Sequence, residues 1–341
     1  MRFIKEVPDL QELAAEYSLN EKQREDRIAV IKEIQHILIG RDKRKLLIVG
    51  PCSADREDAV LEYMLRLTKL KEKVSDVFLI IPRIYTSKPR TNSLGYKGLL
   101  HRPDPGDNND NLLRGLIATR RIHHRVICET GLYGADEMLY PDVFYYYMDL
   151  VCYAAVGARS VEDQQHRIVA SGLDVPVGMK NPTSGDLNVM INAVYAARHG
   201  NSMIFHGWLT ETEGNPYAHG ILRGYEDIHG NFYPNYHYES IIRLYDRIHS
   251  FGIDDVGIVV DCNHSNSGKH HDEQIRIAED VIYNCRKNKT VNGFVKGLMI
   301  ESYLLDGNQM TGEGIYGKSV TDPCLGWEKT ERLVLSLCEG F

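Results

Sequence analysis

From residue 46 onward, short apolar runs alternate with helical patterns, and this alternation constrains the fold of the chain more than any other feature. Leu46 to Gly50 is an apolar run ended by Pro51-Cys52-Ser53, and Asp55 then opens a helix whose Val60, Met64 and Leu67 share one face. Runs suited to further buried parallel strands lie at Phe78 to Ile84, Arg125 to Glu129, Ala154 to Arg159, Val175 to Lys180, Ser202 to His206, Val256 to Asp261 and Val295 to Glu301. Helical patterns separate or follow them at Asn111 to His123, from Pro141, at Gln164 to Ala170, Asp186 to Arg198, Asp272 to Asn284 and Glu328 to Leu337. Eight such units over roughly 250 to 300 residues match an α/β fold of the (β/α)8 TIM-barrel type, with a doubly wound open sheet as the alternative.

Two segments stand outside the alternation. Residues 1–45 carry Ile28, Ile31, Ile34 and Leu38 at helical spacing, closed by Gly40, which predicts an N-terminal helical extension to a barrel over residues 46–341. Such an arm packs on its own domain or covers a subunit interface. After the sixth predicted strand, residues 207–240 hold five glycines and several tyrosines without a helical period, as an inserted hairpin or extended loop does.

Composition narrows the function classes. A net charge of -7 argues against general nucleic-acid binding, so clustered cations point to a small anionic ligand. The seven cysteines are odd in number and lack a CxxC pair, as expected of reduced thiols in a cytoplasmic protein. No run approaches the length of a membrane span, and the amino terminus has no signal-peptide core, so the expectation is a soluble chain without membrane partners.

The residues closing the predicted strands are chemically distinctive. Cys52 follows the first, Arg83 closes the second, Glu129 the third, Arg159 the fourth, Lys180 the fifth and His206 the sixth; His264 follows the seventh and Glu301 ends the eighth. In a barrel these ends meet at one face, where barrel enzymes place their active sites. Arg83, Lys88, Arg159 and Lys180, with Arg223 from the insertion, would repel one another without an anion carrying phosphate and carboxylate. Cys52, His264, Glu301 and Asp322 form a plausible shell for a divalent transition metal. Taken singly, the same residues read as a small buried thiol, a satisfied core histidine and helix caps.

In this order the residues resemble the metal-dependent type I 3-deoxy-D-arabino-heptulosonate-7-phosphate (DAHP) synthases. The resemblance rests on Gly50-Pro51-Cys52-Ser53, Lys88-Pro89-Arg90-Thr91, Gly157-Ala158-Arg159-Ser160, Gln165-His166-Arg167, Pro176 to Asn181, His264-Ser265-Asn266-Ser267 and Gly317 to Asp322. It implies a (β/α)8 barrel that condenses phosphoenolpyruvate with erythrose 4-phosphate and releases phosphate, the first step of the shikimate pathway. By the same resemblance, Cys52, His264, Glu301 and Asp322 fall on ligands of one divalent metal ion (Mn, Fe, Co or Zn). Arg83, Lys88, Arg159, Lys180 and Arg223 fall on residues that hold phosphoenolpyruvate, and Pro89, Arg90 and Thr91 on the loop that receives the sugar phosphate. It favours Glu137 over Glu129 as the acid of the third strand, and it implies a homodimer or homotetramer.

Lys88 and His264 are the candidates for proton transfer, with Cys52 beside them. A sister synthase using a different aldose phosphate such as arabinose 5-phosphate, and a non-catalytic phosphosugar-sensing relative, are the other functions considered. Regulated members of the family bind an aromatic amino acid between the arm and a hairpin. Here the hairpin reads as short, and Asp174, taken as a buried carboxylate in that pocket, predicts weak inhibition by phenylalanine and tyrosine.

Overall fold

The computed structural model describes residues 1–90, 95–104, 109–255, 257–310 and 312–339. Eight parallel strands form its centre: Lys45–Gly50, Phe78–Pro82, Gly134–Glu137, Val151–Val156, Val177–Lys180, His219–Leu222, Ile258–Asp261 and Val295–Glu301. Their order, 2-1-8-7-6-5-4-3, leaves strands two and three at the edges, and a parallel bridge between Arg83 and Ala135 joins these to close the barrel. All of the strands are buried apart from a half-exposed Lys296 in the eighth, as expected where helices cover the outside and side chains fill the inside.

Two of the predicted strands lie elsewhere. Arg125 to Glu129 belongs to the helix Leu112–Thr130, whose buried Leu116, Thr119, Ile122, His123, Val126 and Ile127 follow helical spacing and whose Gly131 ends it in a left-handed conformation. The third strand is Gly134–Glu137 instead. Ser202 to Phe205 lies in Asn201–Phe205, which pairs antiparallel with Trp208–Thr212 in a hairpin outside the barrel, with His206 at its turn. The sixth barrel strand is His219–Leu222, and a smaller hairpin, Tyr225–Glu226 with Phe232–Tyr233, follows it.

The arm contains a short helix, Leu10–Glu16, and a longer one, Glu21–Leu38. Asn20 and Gln23 close the longer helix with a reciprocal capping box, and Ile31, Ile34, Ile37 and Leu38 join the main core. Its buried Arg27 donates to the carbonyls of Met148 and Val151 and grips Asp174 with two hydrogen bonds. These partners lie at the amino ends of strands four and five, so the helix docks on the barrel end opposite the candidate site.

Candidate active site

Strand ends bring the predicted residues together. Cys52 follows the first strand and is fully buried, while Glu301 ends the eighth, also fully buried. Asp322 arrives on a segment that folds back over the eighth strand through bridges of Ser302 with Leu325 and Gly307 with Cys324. The ligand atoms of Cys52, Glu301 and Asp322 lie within 4.8 Å of one another, and His264 Nε2 is 3.6 Å from Glu301 Oε1. His264 takes a left-handed backbone conformation with φ of 56° just past the seventh strand, and its Nδ1 lies 2.9 Å from Asp261 Oδ2.

The cations interleave with this group. Lys88 Nζ sits 2.7 Å from Cys52 Sγ and 2.8 Å from Asp322 Oδ2. Arg83 places Nη2 2.8 Å from Glu301 Oε1, donates Nη1 to the carbonyl of Pro51 and lies 3.9 Å from the centre of the Tyr85 ring. Lys180 Nζ lies 3.2 Å from Asp261 Oδ2. Arg223, which directly follows the true sixth strand, donates to Ser265 Oγ and is held by its own N–H on Asn181 Oδ1. Arg159 is exposed without an ion-pair partner among the described residues, and its charge reaches Arg223.

The electrostatics follow from this packing. Burial and the neighbouring Glu301 push the Cys52 thiol up to about 12 despite Lys88. Lys88 holds the Asp322 carboxyl well below the usual carboxylate range. Burial works against the charge on Lys88, but Asp322 and Cys52 outweigh it and keep the ammonium protonated. For Arg223, burial lowers the pKa further than Asp261 can restore, with Arg159 adding to the fall. A guanidinium and an exposed neighbouring cation left short of acids make a receptor for an anion.

The donor set also fits a metal. Glu301 Oε1 is buried and meets Arg83 as an ion pair without a well-directed hydrogen bond, and it lies close to a thiol, an imidazole and a second carboxylate. Thiol, nitrogen and oxygen donors together suit a borderline divalent transition metal. Asp261 beside His264 Nδ1 is the kind of outer partner that fixes a ligating imidazole's tautomer.

Among the other expected residues, Glu137 ends the third strand, 5% exposed, with Oε1 lacking a hydrogen-bond partner. Glu129 is an exposed helix residue bonded to Arg125, and His206 stacks on Tyr145 at 4.1 Å in the hairpin, so neither belongs to the site. Pro89 and Arg90 are half-buried on the loop after the second strand, where Arg90 Nε donates to Tyr96 O; Thr91 lies outside the described residues. Asp174 is not a buried lone carboxylate: its side chain is 65% exposed and paired with Arg27, which removes the repulsion behind the expected weak inhibition.

Some site residues went unread in the sequence. The fully buried Asp136 accepts from the Thr86 N–H and hydroxyl and from the Glu137 N–H, and its Oδ2 lies 3.1 Å from His123 Nε2. It thereby ties the Lys88 loop to the strand that carries Glu137. Asp261, Asn263 and Gln274 are the others: Asn263 donates to Glu301 Oε2, and Gln274 bonds both backbone groups of Glu301. For Asp136 and Asn263 the available signal was a polar residue directly beside Glu137 and His264; Asp261 and Gln274 carried no such signal.

A barrel whose strand ends gather a metal-binding donor set and a group of cations defines a class of enzymes that act on anionic substrates. The sequence pattern of the DAHP synthetase I family matches residues 20–335, and this chain belongs to that family. It is 38% identical over 317 residues to the Trp-sensitive phospho-2-dehydro-3-deoxyheptonate aldolase of Escherichia coli strain K12, covering 91% of this chain and 87% of that one. The Phe-sensitive enzyme of the same strain is 36% identical over the same shares of the two chains. A phospho-2-dehydro-3-deoxyheptonate aldolase structure from Francisella tularensis SCHU S4 superimposes with a TM-score of 0.91 at 34% identity, covering 99% of this chain and 98% of its own. The family is metal-dependent. Among the described residues no helix is long and apolar enough to cross a membrane.

Proposed function

We infer that this chain condenses phosphoenolpyruvate with erythrose 4-phosphate to give 3-deoxy-D-arabino-heptulosonate 7-phosphate and phosphate, the reaction of its family. The carrying observation is the convergence of Cys52, His264, Glu301 and Asp322 with Arg83, Lys88, Lys180 and Arg223 at the carboxyl ends of the barrel strands. Those four donors would hold one divalent metal, of which Mn, Fe, Co and Zn all suit the set. When bound, such a metal supplies Lewis-acid polarisation of the aldehyde oxygen.

The chain's own residues account for the rest. Arg83, Arg159, Lys180 and Arg223 hold the phosphate and carboxylate of phosphoenolpyruvate, offsetting the repulsion between two anionic substrates and favouring departure of the phosphate. Pro89, Arg90 and Thr91 receive the sugar phosphate, with the Arg90 guanidinium as its charge partner. Lys88, a protonated amine against Cys52 and Asp322, stands where it can give a proton to the aldehyde oxygen as the carbon-carbon bond forms. Glu137, with an unpaired buried oxygen, orients water for addition to the electron-poor carbon of phosphoenolpyruvate.

The assembly proposed is a homodimer or homotetramer in the cytoplasm, supported by Ile204, Trp208 and Leu209, all more than 70% exposed on the projecting hairpin. The test of function is phosphate release from phosphoenolpyruvate with added divalent metal, using erythrose 4-phosphate, arabinose 5-phosphate or no aldose. Turnover with erythrose 4-phosphate alone is expected; a preference for the five-carbon sugar establishes the sister reaction, and no release with either refutes catalysis.

A further inference from the structure

At the end of the barrel opposite the active site, a cavity of about 290 Å³ is lined by Leu38, Tyr245, His249, Asp254 and Phe294 around Lys296. Lys296 is the second residue of the eighth strand and is half-buried. Its stem lies across Gly257, where a Cβ would come within 2.1 Å of Lys296 Cγ. Its amine lies 3.4 Å from where a Cβ would stand on Gly40. Two glycines therefore clear the slot in which this side chain lies.

The amine is unusual in its company. No hydrogen bond or ion pair engages it among the described residues, while the acids nearby are turned to other uses or open to solvent: Asp255 pairs with Arg198 at 2.6 Å and Asp254 is exposed. His249 uses Nδ1 on the Tyr245 carbonyl. The charge that acts on Lys296 is instead another cation, the buried Lys45, which donates to the carbonyls of Asn292 and Val295. Lys289 adds a further positive charge to the lining. Burial and the Lys45 charge pull the Lys296 amine down to about 8. At neutral pH it then carries on the order of a hundredfold more free base than an exposed lysine.

We propose that Lys296 is a carbamylation site, taking carbon dioxide in the slot between Gly40 and Gly257. The nitrogen lone pair of the free amine attacks the carbon of CO₂ and the N–C bond forms. One C–O π pair moves onto oxygen, and an N–H proton leaves to solvent. The product carbamate carries one negative charge, so a like-charged pair, Lys296 with Lys45, becomes an opposite-charged one. That exchange stabilises the adduct most where water is excluded, as around Lys45. A small neutral electrophile suits the walls better than an acyl phosphate, whose charges must pass Asp254 and Asp255.

The experiment incubates the full-length enzyme with ¹³C-bicarbonate near neutral pH, traps carbamates with triethyloxonium and locates them by peptide mass spectrometry. Trapped ethyl carbamate is expected on Lys296 at about tenfold or more the level on the exposed Lys69, following their difference in free base. The matching ¹³C carbamate resonance should vanish in Lys296→Arg and weaken in Lys45→Met, which removes the countercharge. Labelling of Lys296 no greater than that of Lys69 overturns the proposal, as does labelling by acetyl phosphate without labelling by CO₂. Site-resolved trapping on the unaltered enzyme decides the matter even where a variant does not fold.

Discussion

Acidification should destabilise this protein through a histidine far from its chemistry. His219 opens the sixth barrel strand and is fully buried, with Nδ1 2.9 Å from the Tyr217 carbonyl and Nε2 2.9 Å from the Tyr153 hydroxyl. A carbonyl only accepts, so Nδ1 carries the proton, and Nε2 must then accept from Tyr153. Burial, opposed by the Tyr217 bond, drives the imidazole down to about 4 from an ordinary 6.5. Because the folded value is the lower one, the unfolded chain binds the proton first. The associated stability is complete above the unfolded value and is lost as pH falls toward the folded one. The full span corresponds to about 3 kcal/mol, of which about 2 kcal/mol is gone by about pH 5. Urea unfolding across that range, compared with His219→Gln, isolates the effect, since carboxylates titrating elsewhere contribute to both proteins. The variant should be less stable at neutral pH, and the gap should narrow steadily toward pH 4. A gap of constant size from pH 7 to pH 4 would falsify the assigned tautomer and the burial argument with it.

Replacing Asp261 by Asn should lower divalent-metal affinity by about 10–100-fold in a direct metal titration, because Asp261 sits behind His264, and should raise the phosphoenolpyruvate KM because it also faces Lys180. Unchanged affinity would detach Asp261 from the imidazole. Lys180→Ala should weaken phosphoenolpyruvate binding by about 1.5–3 kcal/mol, whereas Lys69→Ala on the surface should leave steady-state kinetics as they were. Gly178→Ala would place a Cβ 2.2 Å from the Tyr153 hydroxyl and 2.4 Å from Ile221 Cδ1, so it should cost about 1–3 kcal/mol in chemical denaturation. A neutral result there would mean that Tyr153 can withdraw from the barrel interior without loss.

The sequence showed the barrel more clearly than it showed two of its strands, and the reason is physical. The third strand reads Gly-Ala-Asp-Glu, with no apolar run, because its buried Asp136 is satisfied by backbone and hydroxyl donors rather than by an apolar surround. A helix next to it supplied the apolar residues, and the short run Val126-Ile127 within that helix cannot be told from a strand by composition. The sixth strand has only Ile221 and Leu222 as large apolar residues, while the hairpin strand before it exposes Ile204 to solvent at 72%. Hydrophobicity in that hairpin reports the core only in part, through Met203 and Phe205, which pack against it from outside the barrel.

These errors had unequal consequences for the site. A barrel takes its functional residues from the ends of separate strands, so each misplaced strand misleads only about the residues at its own end. Shifting the third strand exchanged Glu129 for Glu137; shifting the sixth removed His206 and moved Arg223 from an insertion to a strand end. The other ends were untouched, and Cys52, Arg83, Lys180, His264 and Glu301 still met on one face. What stayed hidden was the layer behind them. Asp261 was read only as the close of an apolar run, although it is fully buried and His264, Lys180 and Arg83 hold its carboxyl below the usual carboxylate range against that burial. Burial decides that role, and burial at a strand's last residue depends on how the following loop turns, here with His264 in a left-handed conformation. The residues proposed to touch ligands are thus legible mainly from strand ends, whereas those that hold them in place become visible only once the loops are folded.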